Sequence, residues 1–492
     1  MVKYQIENAV KQVNRENQIV VTFKKVNYTW PWQPILVTGL QVFVKDCSDQ
    51  SNEIDLHCEE VSMDGLSIWQ YLLHQKLSLR RLQVTNWRIG IKTNHQSSTI
   101  DLECLLENKG NTAGFRLEQL IIKTGQIQYE EPGRSGNQNN YRLIAKAQID
   151  FKGSDINITP DNPLTYHQVQ TKVSDLEYYI DNDLDQIKIA QIDLDSSTKN
   201  LTIDSIVYRT IYTAEKVATI TGLQSHWYDI VIPKVKYHGL NLDSLQFKKS
   251  LHFQYFEMDN PYISVYHDKR PDDRVIEFKQ LPHHWIQSLQ IAVCIDSTST
   301  IDNLNIYYQE HVKEWDDPGK INFTDTQVLI APFNSQKDDF VSLKTTGLFL
   351  NSSLESEILI PSNDSIYKIK GVLGALALTQ LNPMLALVTN THISDGESEN
   401  LSFEFEHDHM NAWGSSSWQY RNLAIAINEQ KGKSNFTRKV GGFLINNFVI
   451  QNENQPGKDF RPGVIEFERD TTRSVFNFWW KSIASGLESS VR

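Results

Sequence analysis

The sequence predicts a mainly β protein: a tandemly repeated, long, curled antiparallel sheet that encloses a taco-like groove, with a few short helices and helices at the termini. Three observations predict this fold class. Apolar and polar residues alternate over most of the chain, helical patterns are few, and a block of strands occurs twice. Alternation puts the apolar side chains on one face of each strand. A long sheet with too few helices to cover that face can bury it by curling into a trough.

The repeated block is defined by glycine and asparagine at matched spacing. In the first copy Asn86 follows Gly65 by 21 positions (86 − 65), and in the second copy Asn260 follows Gly239 by the same number (260 − 239). We predict that four glycines, each followed by leucine, occupy equivalent turn or bulge positions: Gly39, Gly65, Gly222 and Gly239. A duplicated unit of this size indicates an extended, stacked architecture rather than an enzyme built around one cleft.

The composition indicates a globular chain with room for several domains. It has 492 residues, of which 40% are hydrophobic, and a net charge of −12. This charge argues against nucleic acid as a partner, because phosphate binding needs clustered Lys and Arg, and it gives no reason to expect attraction to anionic lipid head groups. The cysteines form no CxxC pair: Cys47, Cys58, Cys104 and Cys294. Four free thiols are favoured, with a Cys47–Cys58 bridge as the alternative.

Changes of pattern predict five segments. They are an N-terminal helix and entry strand (1–30), a first β repeat (31–215), a second β repeat (216–370), a C-terminal module (371–430), and C-terminal strands with a Trp-rich helix (431–492). No stretch of the sequence is long and apolar enough to be a transmembrane helix. The chain begins inside an amphipathic helical pattern, with Ile6, Val10 and Val13 at helical spacing, so we expect an upstream segment before Met1.

Local patterns place the elements along the chain. Alternation starts at 19–23 and is clearest at 401–408, where Leu401, Phe403 and Phe405 point one way and the polar residues between them point the other. Short helices are predicted at 66–74, 281–289 and 376–387. The C-terminal helix has an apolar stripe at helical spacing: Phe476, Trp479, Trp480, Ile483, Leu487 and Val491.

The sequence lacks the usual motifs of catalytic and cofactor sites, such as glycine-rich nucleotide loops, nucleophile elbows and zinc-protease helices. The best metal candidate is His407-Asp408-His409, because residues i and i+2 share one face of a strand, but a third ligand is missing. We therefore predict a non-enzymatic protein without catalytic residues, metal or cofactor. The 11 tryptophans leave a sugar-binding protein open as an alternative.

The C-terminal third carries a family resemblance. It contains six short motifs in order: Lys370-Gly371-Val372-Leu373-Gly374, Leu381-Asn382-Pro383-Met384-Leu385, Ile393-Ser394-Asp395-Gly396, Leu401-Ser402-Phe403-Glu404-Phe405, Ala412-Trp413-Gly414 and Tyr420-Arg421-Asn422-Leu423. This order resembles the C-terminal module of the AsmA-like proteins of bacterial envelopes. Two more stretches resemble the Bacteroidota-type members: Phe476-Asn477-Phe478-Trp479-Trp480-Lys481 with Gly486-Leu487, and Asn260-Pro261-Tyr262-Ile263-Ser264-Val265-Tyr266-His267-Asp268-Lys269-Arg270.

The resemblance covers most of the chain and implies a location and a ligand. AsmA-like proteins are held in the inner membrane by one N-terminal helix, with the remainder in the periplasm, and they are similar to bridge-like lipid-transfer proteins with an apolar groove. The resemblance therefore implies phospholipid or another acyl-chain lipid as cargo, and inner-membrane anchoring through a helix that this sequence lacks. The chain is also short for a bridge across the periplasm, which leaves room for an envelope protein partner at its C-terminus.

Two sets of residues follow as candidate sites. Leu401, Phe403 and Phe405 are predicted to face the lipid groove. The predicted docking residues for a partner or membrane lie on the C-terminal helix: Phe476, Phe478, Trp479, Trp480, Ile483 and Leu487. The expected function is lipid binding or transfer in outer-membrane and envelope biogenesis. The alternative is a structural subunit of a cell-envelope complex with a dry β core and no lipid cargo.

Overall fold

The computed structural model describes residues 19–28, 33–45, 52–66, 77–93, 115–132, 141–158, 165–180, 184–248, 250–272, 274–289, 291–313, 315–337, 340–362, 366–388, 391–427 and 451–491. Strands account for 66% of the structure and helices for 12%, so the predicted mainly β fold class with few short helices is confirmed. The chain divides into two compact units, Met1–Val207 and Tyr208–Arg492. The finer division into five segments stays a prediction.

Hydrogen bonds join 22 of the described strands into one sheet, and three short strands form a second. The large sheet is mixed rather than purely antiparallel. Parallel neighbours need a connection of about a dozen residues or more, and the long segments 93–114 and 269–298 supply it. Parallel pairs described in the large sheet are residues 77–92 with 115–132, 255–259 with 299–311, and 262–268 with 299–311.

The first unit consists of strands and turns in its described residues. The strands are β1 (Ile19–Thr22), β2 (Lys25–Asn27), β3 (Ile35–Lys45), β4 (Glu53–Asp64), β5 (Leu77–Lys92), β6 (Phe115–Pro132), β7 (Tyr141–Ile158), β8 (Gln168–Ile180) and β9 (Asp185–Asp195), followed by β10 (Asn200–Thr210). The predicted helix at 66–74, apart from Leu66, and the predicted N-terminal helix lie outside the described residues.

The second unit contains all of the described helices. They are α1 (Ala214–Thr221), α2 (Leu242–Lys248), α3 (Pro282–Ser288), a 3₁₀ turn (Leu378–Leu381), α4 (Asn382–Val388) and α5 (Val475–Val491). The predicted helices at 281–289, 376–387 and the C-terminus thus correspond to α3, to the 3₁₀ turn with α4, and to α5. The strands are β11 (Ser225–His238), β12 (Ser250–Phe253), β13 (Tyr255–Asp259), β14 (Tyr262–Asp268), β15 (Ala292–Ile295), β16 (Ser299–His311), β17 (Gly319–Ile330), β18 (Phe333–Asn334), β19 (Phe340–Phe349), β20 (Ser352–Pro361), β21 (Tyr367–Leu373), β22 (Leu376–Ala377), β23 (Thr391–His407), β24 (Asn411–Ile427) and β25 (Gly463–Glu468).

The two copies of the repeat have the same strand register. In the first copy Leu56 pairs with Ile89, and Ile89 pairs with Ile127. In the second copy the equivalent row is Ile230, Ile263 and Ile306. Because each row joins an antiparallel pair to a parallel pair, the match extends over three strands in each unit.

The matched asparagines have the same unusual backbone. Asn86 and Asn260 both have a φ of 53°, in the left-handed region that asparagine tolerates better than most residues. Gly65 and Gly239 also correspond, with φ values of 72° and 68° directly after β4 and β11. The other glycine pair shares only a positive φ, since Gly39 lies inside β3 whereas Gly222 caps the C-terminal end of α1.

Candidate functional site

The sheet of the first unit has a continuous apolar face. Side chains of paired residues on neighbouring strands point to the same side, and rows of paired residues run from β3 to β9. The clearest row is Leu40, Cys58, Trp87, Gly125, Ile149, Val173 and Ile192. A second row is Val37, Val61, Val84, Ile122, Phe151, Thr171 and Leu194. Six strand spacings make each row about 29 Å long.

Residues with a left-handed backbone conformation keep the two rows on one face of the sheet. Val84 and Trp87 are three positions apart, although side chains on one face normally repeat every two. Asn86 lies between them at a φ of 53°, and Thr124 on the neighbouring strand has a φ of 54°. Asn86 donates a hydrogen bond to the carboxylate of Glu59 at 2.8 Å. Each of these residues adds one position to its strand, so the apolar side chains that follow it point to the same face as those before it. The apolar residues before and after it therefore pack in one cluster.

Trp87 covers Gly125 in the middle of the first row. A Cβ atom on Gly125 would lie 1.9 Å from Cε2 of the Trp87 indole. Glycine therefore supplies the space in which the ring lies flat on the neighbouring strand.

Exposure changes along the row. Cys58 and Trp87 are buried, whereas Ile149, Val173 and Ile192 remain partly accessible to solvent. Burial raises the pKa of the Cys58 thiol to about 11, and this cysteine is free. Lys172, which neighbours Val173 on the opposite face, is exposed. The described residues of this unit thus leave part of a wide apolar surface in contact with solvent.

The predicted groove residues of the second unit lie in two apolar cores. Leu401 is 6% exposed and packs in a cluster with Phe349, Trp418 and Tyr420. Phe405 is 1% exposed and packs with residues such as Tyr367 and Phe478 in a second cluster. Phe403 is partly buried and contacts both clusters. The three side chains share the predicted face of β23, and α5 covers that face.

The predicted docking residues of α5 divide into two groups. Phe478 is 1% exposed, and Trp479, Ile483 and Leu487 are packed against the two clusters. Phe476 and Trp480 point outwards, with exposures of 72% and 43%. Residues i and i+4 share one side of a helix, so these two aromatic rings form an outer ridge on the first turns of α5.

The serines of α5 hold it on β25. The N–H of Val464 donates to Ser489 Oγ at 2.6 Å, and the N–H of Glu466 donates to Ser485 Oγ at 3.2 Å. The helix thereby satisfies strand donors that the pairing with β24 leaves free. A Cβ atom on Gly463 would lie 2.2 Å from the carbonyl oxygen of Gly486, so two glycines let the backbones approach closely.

His407, the first histidine of the metal candidate, has both ring nitrogens engaged. The indole N–H of Trp479 donates to Nε2 at 2.8 Å, and Nδ1 donates to the carbonyl oxygen of Asp408 at 2.7 Å. Desolvation lowers the pKa of His407 to about 4. The described residues contain no group of three His, Cys, Asp or Glu side chains that could hold a metal ion. Through its hydrogen bond with Trp479, His407 links β23 to α5.

A charged group, which we did not predict, lies at one end of the β14–β16 face. Lys269 Nζ is 2.6 Å from Glu310 Oε1, and Tyr308 donates to Glu310 Oε2 at 2.7 Å. His267 stacks on His226 with ring centroids 4.0 Å apart. Desolvation lowers the pKa of both histidines, and nearby cations lower it further. His267 is therefore uncharged at neutral pH, and its 3.8 Å contact with Glu310 is not an ion pair. The alternation that continues from Val265 to His267 is the sequence signal for this group.

A depression of about 620 Å³ lies beside the small sheet. It is lined by His252, Cys294 and Asp296, among others, and His252 is paired with Cys294 in the register of β12 and β15. His252 Nε2 lies 2.9 Å from the Asp296 carboxylate, whereas the thiol of Cys294 contacts Ser250 Oγ at 3.9 Å. The histidine is therefore oriented towards the carboxylate, and these contacts do not make Cys294 part of a nucleophile–base pair.

Across the part of the chain that the structure describes, no helix has the length and apolar character needed to cross a membrane. No protein-family model and no curated protein sequence matches this chain.

Proposed function

We propose that this protein is a non-enzymatic AsmA-like protein of the bacterial periplasm, which binds lipid acyl chains along an apolar β-sheet face during envelope biogenesis. In this proposal an N-terminal helix outside the present sequence anchors the protein to the inner membrane. Phospholipid or another acyl-chain lipid is the cargo.

The observation that carries this proposal is the width of the apolar face in the first unit. Apolar rows cross seven strands, and the far part of the longest row stays accessible at Ile149, Val173 and Ile192. Apolar surface that stays partly accessible across several strands is unfavourable in water, which supports its use as a binding surface. Acyl chains suit it because they match a flat hydrocarbon face without requiring hydrogen bonds.

A structural subunit is the second candidate, and the C-terminal cores favour it. Leu401 and Phe405 are buried in apolar clusters to which α5 contributes side chains. In this reading the outer ridge of Phe476 and Trp480 docks to an envelope partner. The two candidates differ in whether lipid occupies the first unit.

Site-specific photo-crosslinking in the native host separates them. A photoreactive amino acid at position 173 replaces Val173 on the apolar face, and the matched control replaces its neighbour Lys172 on the opposite face. We expect lipid adducts, identified by mass spectrometry of the purified protein, at position 173 and not at 172. Equal labelling at both positions, or no lipid adduct at 173 together with no lipid in an organic extract, would contradict lipid binding and favour the structural subunit.

A further inference from the structure

Exposed apolar side chains gather where the segment before α3 meets the start of α5. Residues 274–280, which we call the strap, contain neither helix nor strand. Ile276 and Phe278 on the strap are 73% and 63% exposed. The outer ridge of Phe476 and Trp480 on α5 is also exposed. We call these four side chains the exposed apolar patch of the second unit.

Direct contacts fix the strap beside the start of α5. The N–H of Lys279 donates to the carbonyl oxygen of Thr471 at 2.8 Å. Directly after the strap, Leu281 packs in one apolar cluster with Val475 and Phe478. The strap therefore lies next to residues 471–475, which lead into the outer ridge of α5.

Arg469 holds the strap in place from below. It is 4% exposed, and its guanidinium donates to the carbonyl oxygens of Lys279 and of His409, the latter at 3.3 Å. Its Cζ lies 5.9 Å from the centroid of the Phe278 ring, within the range of a cation–π contact. Because the strap is held to the turn between β23 and β24, little ordering is needed before its apolar side chains bind a surface.

The stretches that carry the patch are basic in a chain that is acidic overall. Residues 274–289 and 469–481 contain five basic and two acidic residues, a net charge of +3 against −12 for the whole chain. The basic residues are Arg274, Lys279, Arg469, Arg473 and Lys481, and the acidic residues are Glu277 and Asp470. Asp272, just before the strap, lies 3.3 Å from Lys313. Since exposed charges are screened beyond about 8 Å at physiological salt, this local charge decides what the patch attracts.

The combination of projecting apolar side chains and positive charge suits an anionic lipid bilayer. Trp is typical of the membrane–water interface, where its ring contacts both acyl chains and head groups. Side chains as exposed as Ile276, Phe278 and Phe476 can enter a fluid layer, whereas a protein partner would need a cavity of matching shape. Nearby Lys and Arg side chains are attracted to anionic head groups.

We propose that the exposed apolar patch docks the second unit on an anionic phospholipid bilayer. Ile276, Phe278, Phe476 and Trp480 enter the boundary between head groups and acyl chains, and Arg274 and Arg473 pair with the head groups. This inference goes beyond the proposed function, because it concerns the membrane surface that the protein touches and not the cargo that it binds.

Flotation of the protein with lipid vesicles tests the inference. One vesicle is pure phosphatidylcholine, and the other contains phosphatidylcholine and the anionic phosphatidylglycerol in equal parts. Protein that only takes up lipid stays soluble and does not float, so the assay separates docking from cargo binding.

Two variants remove the two components of the patch, and each has a matched control. The apolar variant is Ile276→Ser/Phe278→Ser/Phe476→Ser, and its control Val464→Ser removes a side chain that is also exposed but lies on β25, beside Ser489 near the other end of α5. The charge variant is Arg274→Gln/Arg473→Gln, and its control Lys320→Gln removes an exposed charge from β17. Circular dichroism and thermal melting verify that each protein is folded.

We expect the wild type and both controls to bind the anionic vesicles about tenfold more tightly than pure phosphatidylcholine. The apolar variant should bind both vesicles at least about tenfold more weakly than the wild type does. The charge variant should bind the two vesicles equally.

Three results would overturn the inference. An apolar variant that floats like the wild type would show that the patch does not dock. Equal binding of the wild type to both vesicles would overturn the anionic assignment. A wild type that floats with neither vesicle would overturn membrane docking altogether and leave a protein as the occupant of the patch.

Discussion

The indole N–H of Trp479 on α5 donates a 2.8 Å hydrogen bond to Nε2 of His407 at the end of β23. His407 is fully buried and stacks on Tyr367 with ring centroids 4.3 Å apart. Since the indole can only donate, Nε2 must accept, and the histidine is the neutral tautomer with its proton on Nδ1. One side chain of the C-terminal helix thus fixes the protonation state of a histidine 72 residues away.

Replacing Trp479 with Phe should destabilise the fold. The substitution keeps an aromatic ring but removes the donor, which leaves a buried acceptor unpaired at a cost of about 1–3 kcal/mol. Equilibrium denaturation with guanidinium measures this change. Trp480→Phe is the matched control, because Trp480 is 43% exposed, and it should change the free energy of unfolding by less than about 0.5 kcal/mol. Equal effects of both substitutions would show that the Trp479–His407 hydrogen bond does not stabilise the fold.

The stability of the fold should fall as the pH is lowered from 6.5 to 4. The pKa of His407 is about 4 in the folded protein against an ordinary 6.5, so in this range the unfolded chain binds a proton that the folded chain excludes. The integrated loss is about 3 kcal/mol for this residue. His226 and His267 also have lowered pKa values and act in the same direction.

A His407→Gln variant isolates the contribution of this residue. The glutamine side chain offers an NH₂ group as donor and a carbonyl oxygen as acceptor but does not titrate. Between pH 6.5 and 4 we expect the wild type to lose about 3 kcal/mol more than the variant. Denaturation curves that fall in parallel for the two proteins would contradict the assignment.

Phe405 and Phe476 should respond very differently to truncation. Phe405→Ala opens a cavity in a core where the ring is 1% exposed and should cost about 3–5 kcal/mol. Phe476→Ala removes a ring that is 72% exposed and should change the stability by less than about 0.5 kcal/mol. Thermal melting measures both. A large loss for Phe476→Ala would mean that the outer ridge of α5 belongs to the core and is not a docking surface.

Gly125→Ala should disturb the apolar face of the first unit. The new methyl group would overlap the Trp87 ring, and such overpacking typically costs about 1–3 kcal/mol. The difference between the tryptophan emission spectra of the variant and the wild type should report the movement of Trp87, because the other 10 tryptophans are common to both proteins. Gly90→Ala on β5 is the control, since its Cβ would meet only the carbonyl oxygen of Asp55 at 3.9 Å. A Gly125→Ala protein with wild-type stability and fluorescence would show that the indole does not lie over Gly125.

Patterns within single strands were sufficient for much of the fold. Alternation at 401–408 predicted that Leu401, Phe403 and Phe405 share one face, and they do. The matched spacing of Gly65 with Asn86 and of Gly239 with Asn260 predicted a repeat, and the structure has the same register and backbone conformation in both copies. These features could be predicted because they depend only on a residue and its nearest neighbours. This holds for the direction of side chains along a strand and for the tolerance of asparagine and glycine for positive φ.

The sequence by itself therefore determined the mainly β class, the apolar face of each strand, the repeat and the C-terminal helix. Only the tertiary structure decided that β5 and β6 run parallel, that α5 covers Leu401 and Phe405, and that Trp479 reaches His407. The physical reason is that local patterns specify which way a side chain points, whereas its partner depends on strand order and helix placement, which distant segments settle by packing together.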